Sequence, residues 1–203
     1  MNTAAPEALS HVDPEANRIG MWLFLLTEVL LFGTLFIFYA AYFRAHPADY
    51  HLAAGRLDRW VGAFNTVVLL TSSLTMALAI HAVRHGARES GLRFLLATVS
   101  LGLLFLVVKG FEWSHKFEVG IYLNSDVLLA LPQGQILFYG LYFTMTGLHA
   151  LHVLIGMGVI LFVFARVRAR RETPSLVENA GLYWHLVDLV WIYLFPLFYL
   201  IGR

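Results

Sequence analysis

The chain has 203 residues, of which 59% are hydrophobic, 15% aromatic and only 13% charged, and its mean hydropathy is +0.70. A water-soluble domain usually has about 25% charged residues, so this composition excludes a soluble globular protein and predicts one domain that faces lipid. A formal net charge of +1 with no basic face argues against nucleic-acid binding, and the lack of cysteine excludes disulfides, iron–sulfur clusters and thiolate metal sites.

Residues 1–18 form a polar stretch that contains three acids and one arginine. They lack the basic start of a secretory signal peptide, and the apolar run that follows is longer than the core of such a peptide. We therefore expect residues 1–18 to be a polar cytoplasmic segment before an uncleaved first span. Residues 19–203 are predicted to form the membrane domain.

Five stretches of the chain are apolar over the length needed to cross a bilayer. A spanning helix needs about 20 mainly apolar residues for a hydrocarbon core about 30 Å thick. The stretches run Ile19–Phe43, Trp60–Val83, Leu92–Trp113, Ile136–Phe164 and Leu182–Ile201. Polar connections separate these stretches. None of the five stretches shows the alternation of apolar and polar residues that is typical of membrane β-strands. The sequence predicts an all-α polytopic membrane protein, a bundle of five transmembrane helices.

Basic residues are distributed unequally between the two ends of these spans. The end that carries the N-terminus has eight Lys or Arg residues, four of them in the segment ARVRARR, and the opposite end has five. Cytoplasmic loops carry an excess of basic residues, so we expect the N-terminus in the cytoplasm and the C-terminus outside. Four tryptophans lie near span ends, where interfacial tryptophans are common: Trp22, Trp60, Trp113 and Trp184.

An acid lies inside the first span. Glu28 is nine residues beyond Ile19, where that span begins, and a central acid costs about 2.5–3.5 kcal/mol on membrane-insertion scales. We therefore expect Glu28 to face another helix rather than lipid. Two interpretations stay open: a buried, protonated residue that holds helices together, or a residue that takes part in proton handling.

Three other spans carry polar side chains at helical spacing. The third has Lys109, Glu112 and His115, the fourth has His149 and His152, and the fifth has His185 and Asp188. Residues three or four apart share a helix face, so Asp188 is placed to orient the His185 ring by a hydrogen bond. We predict an inter-helix polar network or lipid contacts formed by His149, His152, His185, Asp188, Trp184, Glu112 and His115.

A metal or haem site is the alternative for these side chains. Glu112 and His115 make half of the pattern of ferritin-like di-iron proteins, which need a second Glu-x-x-His pair, and histidines on facing helices could ligate haem. The other spans supply His-x-x-His and His-x-x-Asp instead. With no complete ligand set and no catalytic motif, we predict neither a metal site nor a catalytic residue in this chain.

Three spans resemble a known family. The first, LLTEVLLFGTLFIFYAAYFR, is similar to the helix of haem–copper oxidase subunit III that carries a carbodiimide-reactive acid, and Glu28 falls on that acid. TGLHALHVLIGMGVILF resembles the family signature of the fourth span, with Ala150 where Gly is usual. YWHLVDLVWIYLFPLFYLIG resembles its C-terminal signature, with Leu186 in place of Phe.

This resemblance implies a subunit without its own haem or copper. Both would belong to partner subunits of a terminal oxidase that reduces O2 to water and pumps protons in the bacterial cytoplasmic (inner) membrane. The chain would pack beside the catalytic subunit I, together with subunit II and, in some complexes, small subunits or a respiratory supercomplex. Its implied roles are to stabilise subunit I, to support proton uptake and to bind phospholipid.

Seven-helix members of the family have a two-helix arm before the span that carries the acid. Here only eighteen polar residues precede that span, so we expect another chain to fill the place of the arm, or a smaller lipid cleft. Alternatives within the family are subunit III of a quinol oxidase and the subunit-III-like protein of nitric oxide reductase. The alternative from another class is a small transporter or channel lined by Glu28 and the histidines.

Overall fold

The computed structural model describes residues 14–171 and 174–202. Helices make up most of the described chain, with no strand among those residues. They are α1 (Pro14–Ala45), α2 (Pro47–Ala54), α3 (Arg59–Arg84), α4 (Arg88–Glu118), α5 (Asp126–Leu129), α6 (Gln133–Arg168) and α7 (Pro174–Phe195), and a π-helical turn (Pro196–Leu200) follows. Of the polar segment predicted for residues 1–18, residues 1–13 lie outside the described residues, and the rest begin α1.

Five of these helices are long and apolar enough to cross a membrane: α1, α3, α4, α6 and α7 together with its final turn. This confirms the predicted five-span all-α architecture. The helices extend beyond the predicted spans into charged flanks. The longest, α6, has 36 residues and is therefore about 54 Å long at 1.5 Å per residue, more than a bilayer core requires.

The central helix of the bundle is α7, which packs against α1, α3 and α6. Half of its most apolar stretch is buried, against 11% of the corresponding stretch of α1. On α1 the other helices cover only a narrow stripe. Its buried residues Leu25, Phe32 and Tyr39 are spaced seven apart and so lie on one face of the helix. Most of α1 therefore presents apolar side chains outward.

Trp184 on α7 is fully buried at the centre of the bundle, so the prediction that it lies at the membrane interface is wrong. Gly102 on α4 and Gly156 on α6 make room for its ring: a Cβ at either position would lie 2.8 or 2.9 Å from the indole. The indole Nε1 donates to the hydroxyl of Ser72 on α3, at 3.1 Å. A buried position is favoured over the interface because the ring is packed against other side chains and its N–H has a hydrogen-bond acceptor inside the protein.

The connection between the first two spans is more ordered than the sequence suggested. Instead of a purely polar loop it contains α2, with proline in its first turn. Tyr50, Ala53 and Ala54 on this helix are buried, and the Tyr50 ring meets Phe138 of α6 edge-on at 5.3 Å. Small side chains let α2 lie close against α6, and this contact closes one end of the bundle.

Candidate functional site

An acid–histidine pair joins α1 to α6 inside the membrane-spanning region. Oε2 of Glu28 lies 2.8 Å from Nε2 of His152, and the two side chains are only 14% and 11% exposed. An unpartnered carboxyl group in hydrocarbon is costly, which explains why Glu28 lies on the covered stripe of a helix that is otherwise mostly exposed. Its position agrees with the expectation that it faces another helix.

The hydrogen bond made by the other ring nitrogen of His152 determines which protonation states of the Glu28–His152 pair are possible. Nδ1 lies 2.8 Å from the carbonyl oxygen of Leu148. A carbonyl only accepts, so Nδ1 carries a hydrogen, and Nε2 of a neutral ring is then an acceptor. Either the protonated carboxyl of Glu28 donates to Nε2, or an imidazolium N–H donates to the carboxylate. In both forms the pair holds one proton between the two side chains.

Neighbouring aromatic rings hold the pair in place. Phe32, one turn beyond Glu28 on α1, contacts the His152 ring edge-on with centroids 5.3 Å apart. The hydroxyl of Tyr183 on α7 donates to the backbone carbonyl of His152 at 3.3 Å. Three helices therefore converge on this proton-holding site.

A second buried cluster surrounds Lys109 on α4. Its ammonium is 3.2 Å from a carboxylate oxygen of Glu112 and donates to the hydroxyls of Tyr142 and Tyr199, at 3.0 and 2.5 Å. Both tyrosines donate in turn to Glu112, each at 2.7 Å. The ion pair is thus supplied with the additional hydrogen bonds that a buried charge pair needs.

An aromatic ring completes the surroundings of this ammonium. The Lys109 nitrogen lies 5.3 Å from the ring centroid of Trp191, within the range of cation–π attraction, whereas Tyr142 and Tyr199 contact it through their hydroxyls. Tyr199 belongs to the π-helical turn that starts at Pro196. Proline has no N–H and cannot continue a regular helix, and the wider turn here carries Tyr199 back toward α4.

The sequence anticipated only part of this cluster. Lys109 and Glu112 do lie together, as their spacing of three residues indicated, but the expected third member is elsewhere: the side chain of His115 is 76% exposed, 3.9 Å from Glu118. Tyr142 and Tyr199 were not anticipated. Nothing in their sequence context distinguishes them from other aromatic residues of a membrane span, and they meet Glu112 only through the fold.

His149 is placed differently from its neighbour His152. Its side chain is fully buried, and its ring lies 5.4 Å from Phe105 and 5.3 Å from Trp191, centroid to centroid. Neither ring nitrogen has a hydrogen-bond partner among the described residues. His149 therefore packs between aromatic rings rather than in the pair with Glu28.

His185 and Asp188 do not form the expected hydrogen bond with each other. The Nδ1 atom of His185 lies 2.7 Å from the hydroxyl of Ser73 on α3, and Asp188 is buried with neither carboxylate oxygen hydrogen-bonded among the described residues. The helix α3 is close enough that its serine satisfies the ring, so the contact runs between helices instead of along α7. The seven residues predicted as polar contacts thus occupy several separate surroundings.

A groove opens between the first turns of α1 and the start of α7. Its volume is about 740 Å³, and its walls include Arg18, Trp22, Leu26, Glu178 and Leu182. A basic side chain beside several apolar side chains is the arrangement expected of a surface that contacts lipid. Among residues 14–171 and 174–202, no three His, Asp or Glu side chains lie together as a metal site would require.

Comparison with known families identifies the chain. The profile of the family described as cytochrome c oxidase subunit III matches residues 10–203. The chain belongs to the cytochrome c oxidase subunit III family. This confirms the resemblance drawn from the first, fourth and fifth spans, and it makes the chain a relative of subunits of haem–copper oxidase complexes.

Individual relatives of this subunit III chain come from several kinds of oxidase. Cytochrome c oxidase subunit 3 of Synechocystis is 32% identical over 94% of the chain and 78% of its own length. Quinol oxidase subunit 3 of Bacillus subtilis is 30% identical over 99% of the chain and 95% of its own length. Heme-copper oxidase subunit I+III of Aeropyrum pernix is 32% identical over 91% of the chain. The chain spans 22% of the length of that longer relative.

Proposed function

We propose that this chain is the subunit III of a proton-pumping haem–copper terminal oxidase, with no active site of its own. Haem and copper would be held by partner subunits, chiefly the catalytic subunit I beside subunit II. Because similar relatives include both cytochrome c and quinol oxidase subunits, either electron donor is compatible with the chain. The donor would dock on other subunits.

The observation that carries the proposed role is the buried pair of Glu28 and His152. It holds one proton inside the membrane-spanning region, on a helix whose remaining surface is mostly uncovered. We propose that subunit I covers the exposed face of α1 and is stabilised by it. The pair would then lie near that interface, where it supports proton uptake by the catalytic subunit. The groove between α1 and α7 would bind phospholipid in the same complex.

Glu28→Gln is the variant that tests this role. The glutamine amide can donate to Nε2 of His152 as a protonated carboxyl does, so we expect normal retention of the subunit in the purified complex. The amide cannot exchange the shared proton, so we expect sustained O2 consumption to decline several-fold faster during turnover than in wild type. Subunit stoichiometry and oxygen uptake over time measure the two effects.

Glu28→Ala is the matched control, because it leaves Nε2 of His152 without its partner. We expect that variant to lose the subunit from the complex as well as activity. If the Glu28→Gln complex sustained O2 consumption as long as wild type, Glu28 would have only a packing role. Loss of the subunit from the Glu28→Gln complex would contradict both parts of the prediction.

We also propose that the N-terminus lies in the cytoplasm of a bacterial cell and the C-terminus outside, because basic residues favour that orientation. The chain has no cysteine, so single cysteines report the topology directly. Ser90→Cys at the start of α4 and Val119→Cys just after its end are both at exposed positions. In spheroplasts, an impermeant maleimide should label Val119→Cys at once and Ser90→Cys only after permeabilisation. The reverse pattern would invert the topology.

A further inference from the structure

A pocket lined by two cationic side chains and two acids lies at the end of the bundle where α3 begins and α4 ends. Its volume is about 400 Å³, and it is separate from the groove between α1 and α7. Arg56, His115 and Lys116 line it together with the apolar side chains of Val108 and Phe111. The proposed proton-holding pair plays no part in this site.

Lys116 is the most informative residue of this pocket. It is only 7% exposed, and its ammonium donates to the backbone carbonyl of Arg56 at 2.7 Å. An ammonium has three N–H donors, and this carbonyl is its only hydrogen-bond acceptor within residues 14–171 and 174–202. Glu112, which also lines the pocket, attracts this ammonium but forms no salt bridge with it, so the remaining donors are open to an acceptor from outside the chain.

The two acids that line the pocket are already engaged. Glu112 accepts from Lys109 and from two tyrosine hydroxyls. Asp58 accepts from the backbone amides of the second and third residues of α3, at 2.8 and 3.4 Å, and so caps that helix. Neither carboxylate forms a salt bridge with Lys116 in the described chain, so the Lys116 ammonium keeps N–H donors for another acceptor.

The depth of the pocket in the membrane indicates which anion would reach it. Trp60, just beyond Asp58, is 75% exposed, and the guanidinium of Arg59 lies 5.8 Å from its ring centroid. Exposed tryptophans are typical of the headgroup region, where phosphates are concentrated. Phe111, 73% exposed, extends the wall of the pocket toward lipid.

We propose that this pocket binds a phosphate group, with Lys116 and Arg56 as the donors to its oxygens. The apolar wall formed by Val108 and Phe111 matches a phosphate carried by an anionic phospholipid, which would lay its acyl chains along α4. Free phosphate has the same charge-assisted contacts available. The apolar wall would add to the binding of a phospholipid, through its acyl chains, but not to the binding of free phosphate.

The test uses the intact oxidase complex, purified in mild detergent and depleted of lipid. Dihexanoyl phosphatidylglycerol and inorganic phosphate are the two probes, and native mass spectrometry counts what each complex retains. Lys116→Gln should weaken phosphatidylglycerol binding about tenfold, the loss of one charge-assisted hydrogen bond, and remove one bound lipid. Arg59→Gln, an exposed cation outside this pocket, is the matched control and should leave the count unchanged.

Two further variants keep the test decisive if Lys116→Gln does not assemble. Arg56→Gln preserves the carbonyl that holds Lys116 and should still weaken binding, and Lys116→Arg should retain it. Displacement of the lipid by millimolar inorganic phosphate would identify free phosphate as the ligand, and resistance to it would identify phospholipid. Equal lipid counts in wild type, Lys116→Gln and Arg56→Gln would overturn the proposal, as would a pocket filled by an acidic side chain of a neighbouring subunit.

Discussion

Lys109→Met is expected to be among the most damaging single substitutions in this chain. Methionine fills a similar volume, but it leaves the buried carboxylate of Glu112 with tyrosine hydroxyls and no cation within salt-bridge distance. Breaking one side of a buried ion pair costs about 3–5 kcal/mol. We expect a large decrease in the thermal midpoint of the complex, with subunit III dissociating first, measured by heating in detergent followed by size-exclusion chromatography.

The double variant Lys109→Met/Glu112→Gln separates this mechanism from a simple loss of packing. Glutamine is neutral and can still accept hydrogen bonds from Tyr142 and Tyr199, so most of the lost stability should return. A double-mutant cycle then gives a coupling energy of a few kcal/mol. Additive losses in the cycle would show that the charge pair is not the cause.

Trp184→Ala should have a comparable effect for a different reason. It removes one of the two largest fully buried side chains and leaves a cavity between Gly102 and Gly156. A buried Trp→Ala change costs about 3–5 kcal/mol. We expect a lower thermal midpoint of the complex and weaker retention of the subunit, read out in the same heating experiment.

Trp60→Ala is the matched control for this change, because the side chain of Trp60 is 75% exposed. Little loss of stability is expected from it. Trp184→Phe should give an intermediate result, since it restores most of the volume but leaves the Ser72 hydroxyl without its donor. A small effect of Trp184→Ala would mean that the helices close around the missing ring.

Local chemistry explains the features that the sequence predicted correctly. An apolar run of about 20 residues is stable only across a bilayer, whatever its neighbours are, so five spans could be located one by one. The burial of Glu28 follows in the same way from the cost of placing a carboxyl group in lipid. The signatures around His152 and Trp184 point to the family because they are unusual in apolar helices.

Partners across helices could not be predicted in this way. His149 and His152 have the same residue type and neighbouring positions, but only His152 meets Glu28, which lies 124 residues away. Which of the two histidines faces Glu28 depends on how α6 is rotated about its axis relative to α1, and that rotation is set by the packing of the whole bundle. Helical spacing likewise suggested an Asp188–His185 hydrogen bond, and the proximity of α3 replaced it with Ser73.

The sequence by itself therefore determined the membrane class, the five spans, the family and the presence of buried charge, since each depends on composition or local spacing. Only the tertiary structure decided which side chains form hydrogen bonds and ion pairs with the buried charged groups. It placed two tyrosines around Lys109 and Glu112, put Trp184 in the core instead of at the interface, and packed α2 against α6. These outcomes depend on distances between residues far apart in the chain, which are set when whole helix faces compete for the same buried space.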